Sequence, residues 1–159
     1  MRTLYSLLVL LILCVELAAQ EQIPLVEYSN PPSVSPARGY SQLAAVNFGN
    51  CTMLMISGQV ALDSAGNLIG QNDMLKQTEQ VFKNIERLIK AKGGTMQHLV
   101  KIQYYVTDLS QIQQIRVIRD KYVNVKTPPV STLVQVSSLF RQDLMIEIEG
   151  TAIIPNKGL

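Results

Sequence analysis

One histidine, two cysteines and no tryptophan leave this 159-residue chain short of the side chains from which metal centres, disulfide frameworks and nucleophilic triads are built. His98 precedes a strand-forming run with no partner near it in the sequence, so it reads as a surface-loop residue and not as the base of a Ser-His-Asp or Cys-His device. A lone histidine with so few thiols cannot assemble a zinc cluster, so no metal is expected. Neither a Gly-x-x-x-x-Gly-Lys phosphate loop nor a dinucleotide glycine fingerprint is present. Charged residues make up 16% of the chain, the formal net charge is +2, and both signs are interspersed, which argues against a nucleic-acid partner.

The longest apolar run lies at the start. Met1-Arg2-Thr3 is followed by Leu4 through Val15, an apolar stretch too short for a comfortable bilayer span and interrupted by Glu16. Small residues then offer a cleavage site near Ala19 or Gln20. Residues 1–19 are accordingly expected to be a signal peptide and the protein to be secreted or periplasmic, with no membrane association once the leader is cut. A retained anchor is the competing reading. Cys14 falls in the leader, so Cys51 would be the only thiol of the mature chain, without an intrachain disulfide. Beside the Gly49-Asn50 turn signal, Cys51 reads as a small, partly buried residue.

Five residues, Pro24, Pro31, Pro32, Pro36 and Gly39, deny a helix to residues 20–39, an extended lead-in, and one domain is expected over residues 40–155. Leu43 to Phe48 and Thr52 to Ser57 flank Gly49-Asn50 as a hairpin, with Ser57-Gly58-Gln59 closing the second strand and a further short strand expected around Leu68-Ile69-Gly70. From Asp73 to Lys92, Met74, Leu75, Val81, Phe82, Ile85, Leu88 and Ile89 recur at helical spacing. Asn72 or Asp73 can cap that helix, Glu79 to Lys83 and Glu86 to Lys90 are favourable pairs, and Gly93-Gly94 stops it. Leu99 to Val106 reads as a strand, and Asp108 to Ser110 can cap a second helix reaching about Tyr122.

Pro128-Pro129 then forces an extended approach to a strand beginning at Val130. Val130, Thr132, Val134 and Val136 fall on one side of it and Ser131, Leu133 and Gln135 on the other, so side chains should pass alternately to core and cleft. Leu144 to Ile154 is the last strand. The order implies an α+β fold, a sheet with two helices on one face. The other face is left to be covered elsewhere, so a homo-oligomer is expected.

Glu147 and Glu149 share one face of the last strand, about 7 Å apart. A solvated or interface face is one reading; a carboxylate with a raised pKa acting on water is the other. Tyr40-Ser41-Gln42 and Ser57-Gly58-Gln59 put hydroxyls and amides where a cleft would lie, and a glycine there permits close approach to backbone.

Over about residues 31 to 154 these motifs resemble the RidA (YjgF-like) family of enamine/imine deaminases. Pro36-Ala37-Arg38-Gly39-Tyr40-Ser41-Gln42 is similar to the family's Pro-x-x-x-Tyr-x-Gln opening and Ile56-Ser57-Gly58-Gln59-Val60 to its Ser-Gly-Gln segment. Asn84 matches its helical Asn signature. Val100-Lys101 to Val106-Thr107-Asp108 resembles its central strand, and Ile146-Glu147-Ile148-Glu149-Gly150-Thr151-Ala152 its closing strand.

The resemblance implies a chorismate-mutase-like fold, a homotrimer with clefts between subunits, and hydrolysis of 2-imino or enamine acids to keto acids and ammonia without a cofactor. It implies that Glu147 handles the attacking water, with Tyr40, Ser57 and the backbone of Gly58 lining the site. In the family's Pro-Ala-Arg-Ser/Thr motif an arginine holds the substrate carboxylate; Pro129-Val130-Ser131-Thr132 puts Ser131 at that position, followed by Thr132. Losing such a pair should weaken carboxylate capture by about 10- to 100-fold. The family usually has Asn where this chain has Arg116, so Arg116 could supply the guanidinium from the second helix, or simply point into solvent. A hydrolase of imines and a non-catalytic small-molecule or protein binding module are the two functional expectations.

Overall fold

The computed structural model describes residues 24–156. The leader read over residues 1–19, with Cys14, and the first residues of the lead-in lie outside them.

β2 (Leu43–Asn47) and β3 (Cys51–Val60) form the expected hairpin. Gly49 at its tip has φ +82°, the left-handed backbone that a two-residue turn demands, and Phe48 N donates to Cys51 O across it at 2.9 Å. The sheet starts earlier than Tyr40. β1 (Val26–Ser29) pairs antiparallel with β2, Val26 opposite Val46, because the residues between Pro24 and Pro31 are free to donate from the backbone and an edge position tolerates flanking prolines. Leu68-Ile69-Gly70, by contrast, yields only a single bridge from Leu68 to Leu62.

α1 (Met74–Ala91) sends Met74, Val81, Phe82, Ile85, Leu88 and Ile89 into the core. Asp73 Oδ1 accepts from Lys76 N at 3.0 Å, and Gly93, at φ +76°, turns the chain away after the last turn. Both expected surface pairs form, Lys83 to Glu79 at 3.1 Å and Lys90 to Glu86 at 2.8 Å. One apolar position was misplaced by the spacing: Leu75 is turned outward and 37% exposed. Gln77, Gln80 and Asn84 are buried instead. They are satisfied by backbone outside the helix: Asn84 Nδ2 donates to Leu62 O at 2.9 Å and to Val60 O at 3.1 Å, which fixes the end of β3 to α1.

β4 (Leu99–Val106) leads through a short 3₁₀ turn to α2 (Ile112–Tyr122), where Asp108 Oδ1 accepts from Ser110 N at 2.9 Å. β5 (Val130–Gln135) and β6 (Ile146–Pro155) complete a six-stranded sheet in the order β1-β2-β3-β6-β4-β5. Only the β4/β5 contact is parallel. α1 packs on β3 and β6, and α2 packs on α1, with Phe82 stacked on Tyr122 at 5.1 Å between ring centroids. Leu54, Ile102, Ile146 and Ile148 meet Phe82, Ile85 and Leu88 in a fully covered layer, where each side chain contributes roughly 1.5–3 kcal/mol.

β5 departs from the expected alternation. Its valine row is not the core row: Val130 is 67% and Val134 42% exposed, while only Leu133 on the opposite side is partly buried. Lying at the sheet edge beyond β4, β5 is covered on its Leu133 side alone, so the valines join an open face on which Met55, 54% exposed, and Ile153 are further exposed apolar residues, with Lys101, Gln103 and Thr151 between them. Among the described residues no helix is long and apolar enough to cross a membrane.

Candidate functional site

The site grows from an irregularity in β3. Ile56 is paired with Gly150 and Gln59 with Ile148, so Ser57 and Gly58 together oppose a single residue of β6. Such a bulge, with its one extra residue, returns Gln59 to the covered side while Ser57 and Gly58 are set toward the other. The opposing residue is Glu149, but the side chain that fills the bulge is that of Glu147, paired with Val60: a Cβ on Gly58 would lie 1.8 Å from Glu147 Oε1. What the sequence offered as a strand end is a seat for a carboxylate.

Two buried glutamines hold the rest. Gln59 Nε2 donates to Gln42 Oε1 at 2.7 Å, and Gln42 Nε2 donates to Ser35 O at 2.7 Å. Gln42 N donates in turn to Asn30 Oδ1 at 2.8 Å. This chain of bonds ties the proline-rich loop before β2 to the bulge and so carries Tyr40 to the site. Ser57 Oγ donates to Gln42 O at 3.2 Å, which orients the hydroxyl.

The resulting cleft, about 740 Å³, is lined by Tyr40, Ser57, Gly58 and Glu147, and by Arg38, Phe140 and Arg141. Burial, with the neighbouring Glu149 carboxylate second, raises the Glu147 pKa above the usual glutamate value. Among the described residues none donates a hydrogen bond to it, so its oxygens are available to a ligand or water. Arg141 is occupied: its Nε donates to Asp143 Oδ1 at 2.9 Å and its second arm to Oδ2, and this bond holds Asp143 below the usual aspartate range. Gln77, buried in α1, accepts from Met145 N at 2.8 Å and donates to Asp143 O at 2.8 Å, anchoring the Arg141 loop.

Other candidates lie elsewhere. Glu149 borders a separate shallow hollow with Lys101 and Gln103 on the open face. Ser131 lies beside a hollow of about 290 Å³ between β5 and α2, whose guanidinium is that of Arg119, paired with Asp120 at 2.7 Å. Thr132 is exposed on the open face, and Arg116 is exposed on α2 and lines neither the cleft nor the Ser131 hollow. Within one chain, then, Tyr40, Ser57, Gly58 and Glu147 come together, while Arg116, Ser131 and Thr132 do not join them. His98 has a structural task, its Nδ1 accepting from Thr95 N at 3.0 Å to close a 3₁₀ turn. Among the described residues no three of His, Cys, Asp and Glu gather as metal ligands.

Arg38, Phe140 and Arg141 had no signal in periodicity; Arg38 sits inside a recognisable motif but at one of its variable positions. The buried Gln77 and Gln80 were hidden by helix spacing that reads only apolar residues.

The comparisons agree on the lineage. Residues 31–154 match the family model described as Endoribonuclease L-PSP. Protein DfrA of Myxococcus xanthus is 32% identical over 123 residues, 77% of this chain and 88% of the relative. A RutC family protein of Sulfurisphaera tokodaii is 33% identical over 123 residues, 77% and 91% of the two chains. The crystal structure of RidA from an Antarctic Psychrobacter is 30% identical and superposes with a TM-score of 0.70, covering 80% of this chain and 98% of that one. With the family model matched over residues 31–154 and the fold shared with that structure, this chain belongs to the RidA (YjgF-like) family, the family of the Endoribonuclease L-PSP model.

Proposed function

We propose that the protein is a cofactor-independent hydrolase of small reactive imines, releasing ammonia and a carbonyl product, with Glu147 as the group that moves protons. The observation that carries this reading is the Glu147 carboxylate seated on Gly58, half-buried, without a donor partner and facing a cleft. Glu147 takes a proton as the water oxygen bonds to the imine carbon. With the imine reacting as its protonated iminium, this leaves a neutral carbinolamine; Glu147 returns the proton to nitrogen, and as the carbon–nitrogen bond breaks to release ammonia the carboxylate takes the hydroxyl proton while the carbonyl forms. Its raised pKa suits both halves, since a carboxylate poised nearer neutrality accepts and donates with similar ease. Tyr40 and Ser57 line the same cleft and supply hydroxyls to water or the leaving nitrogen.

We also propose that the chain is exported, as its first residues suggest, and works as a homotrimer. The exposed apolar side chains of Met55, Ile153 and the β5 valines on the open face support association, because such side chains gathered on one sheet face mark interaction surfaces. A second reading has its own observation: Ser131 in place of the family's arginine favours a binding module on the same scaffold without turnover. Ammonia release from enzymatically generated 2-iminopropanoate separates the two. Turnover abolished in Glu147→Gln supports the hydrolase, and equal rates in the two proteins reject it.

A further inference from the structure

We infer that Arg38, on the loop before β2, is the carboxylate anchor of the cleft that it lines together with Glu147. This rests on the proposed function for the identity of the reacting group, but not for the binding of the anion.

Three guanidiniums border the two hollows near the expected site, and two are already satisfied. Arg141 is clasped by Asp143 through both carboxylate oxygens, and Arg119 by Asp120 at 2.8 Å from Nε. Among the described residues Arg38 makes neither an ion pair nor a hydrogen bond, and it lines the same cleft as Glu147 within one chain. Uncompensated positive charge beside a ligand-sized hollow favours an anion, and a guanidinium presents the planar fork that a carboxylate accepts in two bonds.

The loop bearing Arg38 is firmly held, so its position is set before any ligand arrives. Val34 is buried, and Ser35 O accepts from the Gln42 amide at 2.7 Å; Gly39 at φ +79° then turns the chain between Arg38 and Tyr40. Phe140 and Leu62 give the cleft an apolar wall. A small keto or imino acid with a short alkyl chain matches these features: a carboxylate for Arg38, an alkyl group for Phe140, and an electrophilic carbon for the water at Glu147. In this arrangement the anchor has left β5, where Ser131 has no charge to offer, for the segment preceding Tyr40.

Binding of 2-oxobutanoate to the full chain, read by calorimetry or by ligand-observed NMR, tests the assignment without requiring turnover. Arg38→Met should weaken the affinity by about 10- to 100-fold, the scale of a charge-assisted pair, with Arg38→Lys intermediate and Arg116→Ala and Arg119→Ala close to wild type. The uncharged 2-butanone should be indifferent to Arg38. Unchanged affinity in Arg38→Met, or no 2-oxobutanoate binding by the wild type, overturns the inference. Arg38-dependent binding without ammonia release from 2-iminopropanoate would defeat the hydrolase reading and leave the anchor standing. Glu147-dependent turnover with a KM untouched by Arg38→Met would do the reverse.

Discussion

Glu147 occupies the space that a side chain on Gly58 would need: a Cβ there would lie 1.8 Å from Oε1 and 2.7 Å from Cδ of the carboxylate. The glycine is required by this contact, since the bulge gives residue 58 no positive φ. The bulge and the glutamate form one unit, in which β3 supplies the seat and β6 the carboxylate.

Gly58→Ala should therefore damage activity more than stability. The obstructing atoms belong to the end of a side chain, which can swing aside at a cost of about 1 kcal/mol or less, whereas the displaced carboxylate no longer faces its water. Ammonia release is expected to fall at least about 10-fold, with a melting temperature within a few degrees of wild type.

The raised pKa of Glu147 gives a signed stability prediction. The folded state holds the proton more tightly than the unfolded state, so ionisation opposes folding. That cost is absent below the unfolded value of about 4.3 and complete once the pH exceeds the folded value. Glu147→Gln should melt higher than wild type near neutral pH, and the difference should shrink as the pH falls into the ordinary glutamate range. Parallel thermal melts across that window check the sign.

Gln42→Ala should destabilise the protein by about 1–3 kcal/mol, because it leaves the Ser35 carbonyl without its donor and removes the shortest bond of the Gln59 amide, which keeps its bond to Ser57 O at 3.1 Å. Denaturant unfolding measures the loss. Activity should drop as well under conditions where the variant remains folded, since the loop bearing Tyr40 loses its tie to the bulge.

Met55→Glu, on the open face, should leave the fold intact and disrupt association. Light scattering should report three protomers for the wild type and a smaller mass for the variant.

Much of the frame could be read in the residues. α1 announced itself by spacing, by Asp73 and by Gly93, because these are local signals with local causes. The same residues that resemble a family also gave Tyr40, Ser57, Gly58 and Glu147, which the fold draws into one cleft. Non-local facts were hidden. The extra residue at Ser57-Gly58 exists only in the register between β3 and β6, and period-two counting along β5 could not say which row faces α2 and which the open side. Arg38 was hidden for a different reason: a loop arginine has no periodicity, and only the pairing of Arg141 with Asp143 and of Arg119 with Asp120 leaves it as the free charge of the cleft.

The most direct test of the whole account is the rate of ammonia release from freshly generated 2-iminopropanoate by wild-type protein and by Glu147→Gln at equal concentration near neutral pH. A rate above the spontaneous hydrolysis for wild type, returning to the spontaneous rate in the variant, is the predicted result. Equal rates for the two proteins would contradict it.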